Sequence, residues 1–201
     1  MLLGAGYDAR AYRFCKQLDG RPVFEVDLAA TSRRKAGIIE RNRKHFPDAN
    51  VHRVEIDFET QALSDTLPSA GFRNGTRTFV VWEGVIPYLT RAAVKGTIGA
   101  LHDLCGDGSM LAMDCWFMVD SPGPLGSARR AAPGAIALIG EPVTFGMHPE
   151  DMPDFLRRLD YEVVDLADAA ELEARYCTDG RNVEPSLFVV AARRVDRHVD
   201  G

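Results

Sequence analysis

The residues able to do chemistry crowd into the first ninety positions. The chain opens MLLGAGYDARAYRF, with Gly4-Ala5-Gly6 followed by Asp8, Arg10 and Arg13. Such a loop caps a buried strand and opens a helix, and its glycines let a ligand approach the backbone with no Cβ in the way. Read as Gly4-x-Gly6-x-x-Ala9, it fits a dinucleotide fingerprint, and Asp27 lies where an acidic residue would take a ribose diol. Three carboxylates follow apolar runs: Asp27 closes VFEVD, Asp57 closes VHRVEID and Glu83 follows TFVVW.

Their sign bears on the ligand. A pyrophosphate is anionic and is repelled by carboxylates placed beside it. S-adenosylmethionine offers a sulfonium, an ammonium, a ribose diol and an adenine amino group, all positive or hydrogen-bond donors. Ionised carboxylates only accept, so they match it group by group. Charge complementarity therefore favours S-adenosylmethionine over NAD. An NAD-dependent oxidoreductase is the alternative, supported by the glycine pattern alone. One Asp at a strand end is also an ordinary cap or turn former, so the weight rests on the set.

These side chains need a sheet to hold them. Short apolar runs predict strands at Pro22–Asp27, Val51–Asp57, Thr78–Gly84, Ser109–Phe117, Tyr161–Leu166 and Ser186–Arg193. Longer amphipathic stretches predict helices at Leu28–Phe46, Thr90–Cys105, with Thr90 as N-cap, and Pro149–Leu159. Only Met1, Leu2 and Leu3 stand before the glycine loop as the end of a first strand. The alternation predicts an α/β fold, one domain over residues 1–201 with helices on both faces of the sheet. The Gly- and Pro-rich stretch Ser121–Pro149 breaks the rhythm and reads as a lid beyond a strand's carboxyl end. His148 near its close is a candidate general base, set against the plainer reading of a surface histidine.

Composition bounds the rest. The 201 residues are 46% hydrophobic and 26% charged, with a net charge of -5, which argues against a nucleic-acid footprint. No apolar run is long enough to span a bilayer, and the first residues do not read as a signal peptide. Cys15, Cys105, Cys115 and Cys177 lack zinc-like spacing and read as reduced thiols of a cytoplasmic protein. No metal cluster or Ser-His-Asp arrangement emerges. Arg33, Arg34, Lys35, Arg41, Arg43 and Lys44 read as the solvated face of a helix. Asp8 and Arg10 are two apart, a spacing that does not bring side chains together on a helix.

Taken together, LLGAGYDARAYRF, VFEVDLAATSRRK, VEIDFE and FVVWEGVIPYLT resemble the leucine carboxyl methyltransferase-like family of class I S-adenosylmethionine-dependent methyltransferases. The resemblance is strong from Leu2 to about Thr90 and looser through FGMHPEDMPDFLRRLDYEVVD. It implies a Rossmann-like sheet, mostly parallel, with an antiparallel last strand. By position it places Gly4, Ala5 and Gly6 against the methionine part of the cofactor and Asp27 at the ribose hydroxyls. Asp57 and Phe58 fall beside the adenine and Glu83 near the methionine end. Tyr88, Arg10 and His148 remain candidates for the acceptor pocket. Glu25 shares a face with Asp27 but ranks below it.

The expected activity is methyl transfer to an oxygen of a small-molecule or carboxylate acceptor. A carboxylate needs no general base, so no catalytic residue is named, and the oligomeric state is left open. The family's helical segment before the glycine loop has no counterpart in this sequence. A shortened, non-catalytic relative is therefore a further alternative.

Overall fold

Apolar, β-branched runs become the strands. They are β1 (Leu2–Leu3), β2 (Val23–Asp27), β3 (Val51–Glu55), β4 (Phe79–Trp82), β5 (Met110–Trp116), β6 (Tyr161–Asp168) and β7 (Leu187–Arg194). In the computed structural model, which describes residues 1–117 and 144–196, they form one sheet in the order β3-β2-β1-β4-β5-β7-β6. Pairing is parallel from β3 across to β5, while β7 runs antiparallel to both β5 and β6. The expected mostly parallel sheet is present. The chain winds outward from β1 to β3 and then returns to β4 on the other side of β1. That reversal is a topological switch point, and the crevice beyond it is where open α/β sheets hold ligands.

Strand alternation splits the apolar residues between two faces. Leu3, Val26, Val80 and Trp82 face α4 (Leu63–Ser69), α5 (Arg91–Leu104) and α6 (Met152–Arg157). Leu67, Val94, Ile98, Leu101 and Met152 are fully buried there. Each contributes roughly 1.5–3 kcal/mol by leaving water. Leu2, Val23 and Val81 face the other way, towards Ala11 and Tyr12 of α1 (Arg10–Arg13), Leu18 of α2 (Cys15–Leu18) and Ile39 of α3 (Ala29–Arg41). This second cover is thinner: Phe79 stays 59% exposed and Phe14 43%.

Several boundaries differ from expectation. The helix expected over Leu28–Phe46 stops at Arg41, and a 3₁₀ turn follows at Arg43–His45. The strand expected to Asp57 ends at Glu55, so Asp57 sits in the following loop. The helix predicted at Pro149 starts as a 3₁₀ turn and becomes α6 at Met152. Helix α5 begins as predicted, with Thr90 Oγ1 accepting from Ala93 N at 3.2 Å. Two helices were not foreseen, α4 and α7 (Ala169–Tyr176). Of the stretch read as a lid, residues 121–143 lie outside the described residues. No helix among the described residues is long and apolar enough to cross a membrane. All four cysteines are free thiols.

Candidate functional site

The glycine loop is fastened before any ligand arrives. Gly4 N and Ala5 N both donate to Val26 O, at 2.8 and 3.1 Å. Gly4 has φ +65°, and a Cβ there would lie 2.0 Å from Val85 Cγ2, so only glycine lets the loop after β4 pack against it. Asp27 closes the arrangement. Its Oδ2 accepts from Gly6 N at 2.5 Å and its Oδ1 from Leu28 N at 2.7 Å. Each ionised oxygen keeps a further lone pair for an outside donor.

Beneath the loop lies a buried charge network. Glu25, 2% exposed, points to the same side as Asp27, as alternation predicts, but belongs to the interior. Lys35 Nζ stands 2.8 Å from Glu25 Oε1 and donates to Ala5 O at 3.4 Å. Arg53 Nε lies 3.7 Å from Glu25 Oε2, and Arg53 Nη2 donates to the Tyr12 hydroxyl at 2.6 Å. The Glu25 oxygens receive no aligned hydrogen bond, so Coulomb attraction holds these contacts. The expected solvated face of α3 therefore fails at Lys35, which is 4% exposed. A carboxylate inside an apolar strand needs a counter-charge, and Lys35 supplies it. Arg33 keeps to the surface and pairs there with Glu55 at 2.7 Å.

Glu83 lies one residue beyond β4. Arg10 bridges to it, with Nη2 2.6 Å from Glu83 Oε2, and to Asp8, with Nε 2.6 Å from Oδ2. The Asp8–Arg10 pair corrects the helix-spacing argument. Asp8 precedes the helix, which begins at Arg10, so helical spacing does not govern it. Gly4, Ala5, Gly6, Arg10 and Glu83 together line a cavity of about 310 Å³. Asp57 follows the end of β3, next to Ile56, whose N donates to Asp27 O at 2.9 Å. Its Oδ1 accepts from Glu59 N at 2.9 Å, and Phe58 turns inward with its ring 5.9 Å from Trp82. Glu59 in turn clasps Thr90, taking its N–H at 2.6 Å and its hydroxyl at 2.9 Å.

Asp27, Asp57 and Glu83 follow the carboxyl ends of β2, β3 and β4. Asp27 is tied to the glycine loop through Gly6 N and Glu83 lines the loop's cavity, whereas Asp27, Asp57 and Phe58 are not among that cavity's lining residues. Tyr88, 37% exposed, and His148 do not line the glycine-loop cavity. His148 is exposed, with its ring 5.3 Å from Phe117, and borders a separate cavity beside α5 and α6. Sequence reading missed Asp114. It lies within β5, next to Met113, the partner of Trp82, and both its oxygens accept from Gly84 N, at 2.9 and 3.1 Å. Burial pushes its carboxyl above the usual range, the Gly84 hydrogen bond opposes this, and the Glu83 charge adds to it. An Asp in the strand MLAMDCW was the available signal. Among the described residues no group of His, Cys, Asp and Glu could hold a metal ion.

A sequence model of the leucine carboxyl methyltransferase family matches residues 1–102. The chain belongs to this family. A proposed S-adenosyl-L-methionine-dependent methyltransferase of Mycobacterium ulcerans (strain Agy99) is 37% identical over 112 residues, which cover 56% of this chain and 36% of that protein. A proposed methyltransferase of the same kind from Mycobacterium leprae (strain TN) is 32% identical over 113 residues, with the same shares. The matches thus span about a third of these relatives' length. Among solved structures, an S-adenosylmethionine-dependent methyltransferase from Mesorhizobium loti aligns with TM-score 0.59 at 15% identity, covering 96% of this chain and 89% of that one. A mitomycin 7-O-methyltransferase aligns with TM-score 0.61 at 10% identity, covering 96% and 48%. These likenesses establish the fold as that of class I methyltransferases. The antiparallel β7 between β5 and β6 separates this family member from the doubly wound dinucleotide fold, whose sixth strand follows the fifth directly.

Proposed function

We propose that this chain is the cofactor-binding core of an S-adenosylmethionine-dependent methyltransferase. The acceptor is an oxygen nucleophile, a carboxylate or hydroxyl of a small molecule. The single observation carrying the reading is the rim itself, where Asp27, Asp57 and Glu83 follow the ends of β2, β3 and β4 beside a loop that tolerates no Cβ at Gly4. Family membership points the same way.

The residues present fit the cofactor. Asp27, with lone pairs to spare, suits the ribose hydroxyls. Asp57 and Phe58 suit the adenine, and Glu83 the ammonium of the methionine end, where it would exchange part of its contact with Arg10. When bound, the cofactor supplies a methyl already activated by its sulfonium. The protein's own work is to bind and align. Gly4 and Gly6 bring the backbone close, and Asp27 keeps the loop from drifting. We assign no general base, since a carboxylate acceptor requires none. We read residues 1–201 as one domain, and the four free thiols accord with a reducing, cytoplasmic setting.

Isothermal titration calorimetry with S-adenosylhomocysteine is expected to show one site per chain. Asp57→Ala is expected to weaken it by about tenfold, the loss of one charge-assisted hydrogen bond. A folded wild-type chain giving no heat with S-adenosylmethionine or S-adenosylhomocysteine would end this reading. Saturable heat with NAD in their place would select the oxidoreductase.

A further inference from the structure

A second cavity, about 450 Å³, lies between the start of α5 and α6, a volume suited to a small molecule. It stands at the carboxyl rim of the sheet. Thr144 N and Phe145 N donate to Pro87 O at 2.7 and 3.2 Å, and Met147 N donates to Trp116 O at 3.0 Å. These bonds pin the cavity wall onto the loop after β4 and the end of β5.

Its charges are unusual for a chain of net charge -5. Arg91 and Lys95, one helical turn apart on α5, and Arg158, just after α6, all line it. None of the three has an ion-pair partner among the described residues. The neighbouring Arg157, by contrast, pairs with Asp154 at 2.9 Å. The Arg91 guanidinium lies over Phe155 and Phe145, 5.3 and 5.9 Å from the ring centroids. Aromatic rings fix its position without neutralising it. Asp154 also borders the cavity but is committed to Arg157. Among the described residues, Asp151 is the one bordering carboxylate left to oppose three cations that have no ion-pair partner there.

We propose that this cavity is an oxyanion subsite. It binds the carboxylate or phosphate group of a small molecule through Arg91, Lys95 and Arg158. Arg91 presents a planar fork suited to two oxygens, while Lys95 and Arg158 add charge from the flanks. As the anionic handle of the methyl acceptor, the bound group keeps the acceptor on the same rim as Glu83. That last assignment rests on the methyltransferase reading; the binding itself does not.

The test is a pair of NMR titrations of the full chain, one with citrate and one with inorganic phosphate. The readouts are the Arg Nε–Hε signals and the amides of Met147 and His148. Saturable shifts confined to this cavity are expected at millimolar concentrations. Arg91→Gln/Arg158→Gln should raise the dissociation constant at least about tenfold. Its S-adenosylhomocysteine affinity should match the wild type, and its melting temperature should drop only slightly, from the lost Arg91–ring contacts. Should the double variant fold poorly, Lys95→Gln alone should weaken binding by roughly threefold. Saturation by citrate alone assigns a carboxylate, by phosphate alone a phosphate monoester, and by both an oxyanion of either kind. Scattered, non-saturating shifts, or equal constants in wild type and variants, overturn the subsite. Anion binding without S-adenosylhomocysteine binding keeps the subsite and removes only its link to a methyl acceptor.

Discussion

The two cavities at the rim are built on opposite terms. Around the glycine loop the charges have internal partners: Asp27 with two backbone amides, Glu83 with Arg10, and Glu25 with Lys35 and Arg53. Around the α5–α6 cavity, Arg91, Lys95 and Arg158 have no ion-pair partner among the described residues, and Arg91 lies over two aromatic rings. The first arrangement fixes geometry in advance, so a ligand meets a formed cradle. The second keeps charge uncommitted, so a ligand supplies the partner. The family match covers residues 1–102, which include the whole glycine-loop lining and also Arg91 and Lys95, while the rest of the second cavity's wall comes from residues 146–159.

Breaking the buried network is the most severe test of that contrast. Lys35→Met leaves Glu25 without its close cation and is expected to lower stability by about 3–5 kcal/mol in urea unfolding. Glu25→Gln/Lys35→Met should recover much of that loss, because no charge is then stranded. If the single and double variants unfold alike, the network is not what secures the loop.

Next in size is Gly4→Ala. The left-handed backbone costs roughly 1–2 kcal/mol and the clash with Val85 adds to it. Gly20, with φ +73° and nothing within 4 Å of its would-be Cβ, should show the backbone cost alone when changed to Ala. Equal melting temperatures for the two variants would show that the loop has room to yield.

The smallest expected effect is a pH dependence at Asp114. Its carboxyl is raised in the folded chain, so in the window from the ordinary Asp value, about 4, up to the raised one, the native state holds a proton the unfolded chain has released. Stability therefore falls as pH rises through that window. Asp114→Asn should flatten this part of a stability–pH profile while keeping an acceptor for Gly84. Parallel profiles for wild type and variant would remove Asp114 from the titrating groups.

Much of this was legible because it is local. Apolar runs marked the strands, and the acidic residues after them marked the rim, since strand ends in a parallel sheet share one edge. Lys35 was not legible as a buried residue, because Arg33, Arg34 and Lys35 differ only in where the helix turns them. The usable hint lay elsewhere, in Glu25 amid VFEVD, a carboxylate inside an apolar run that must find a cation. Helix α4 hid behind its seven-residue length and internal Pro68. Helix α7 carried a readable signal in Asp168 and Glu171, which form a reciprocal capping box at 2.9 and 3.2 Å. Sequence reading touched the α5–α6 cavity at His148 alone, an acceptor-pocket candidate that lies on its wall. Its three cations were not singled out, because the walls come from segments more than forty residues apart.

Glu59 has a mechanical consequence. By gripping both the amide and the hydroxyl of Thr90, it bolts the stretch carrying Asp57 and Phe58 to the head of α5. Arg91 is the very next residue along that helix. A displacement of α5 large enough to re-aim Arg91 must therefore either tear this bolt or drag the Asp57–Phe58 loop with it, so that loop and the α5–α6 cavity hang from a common shaft.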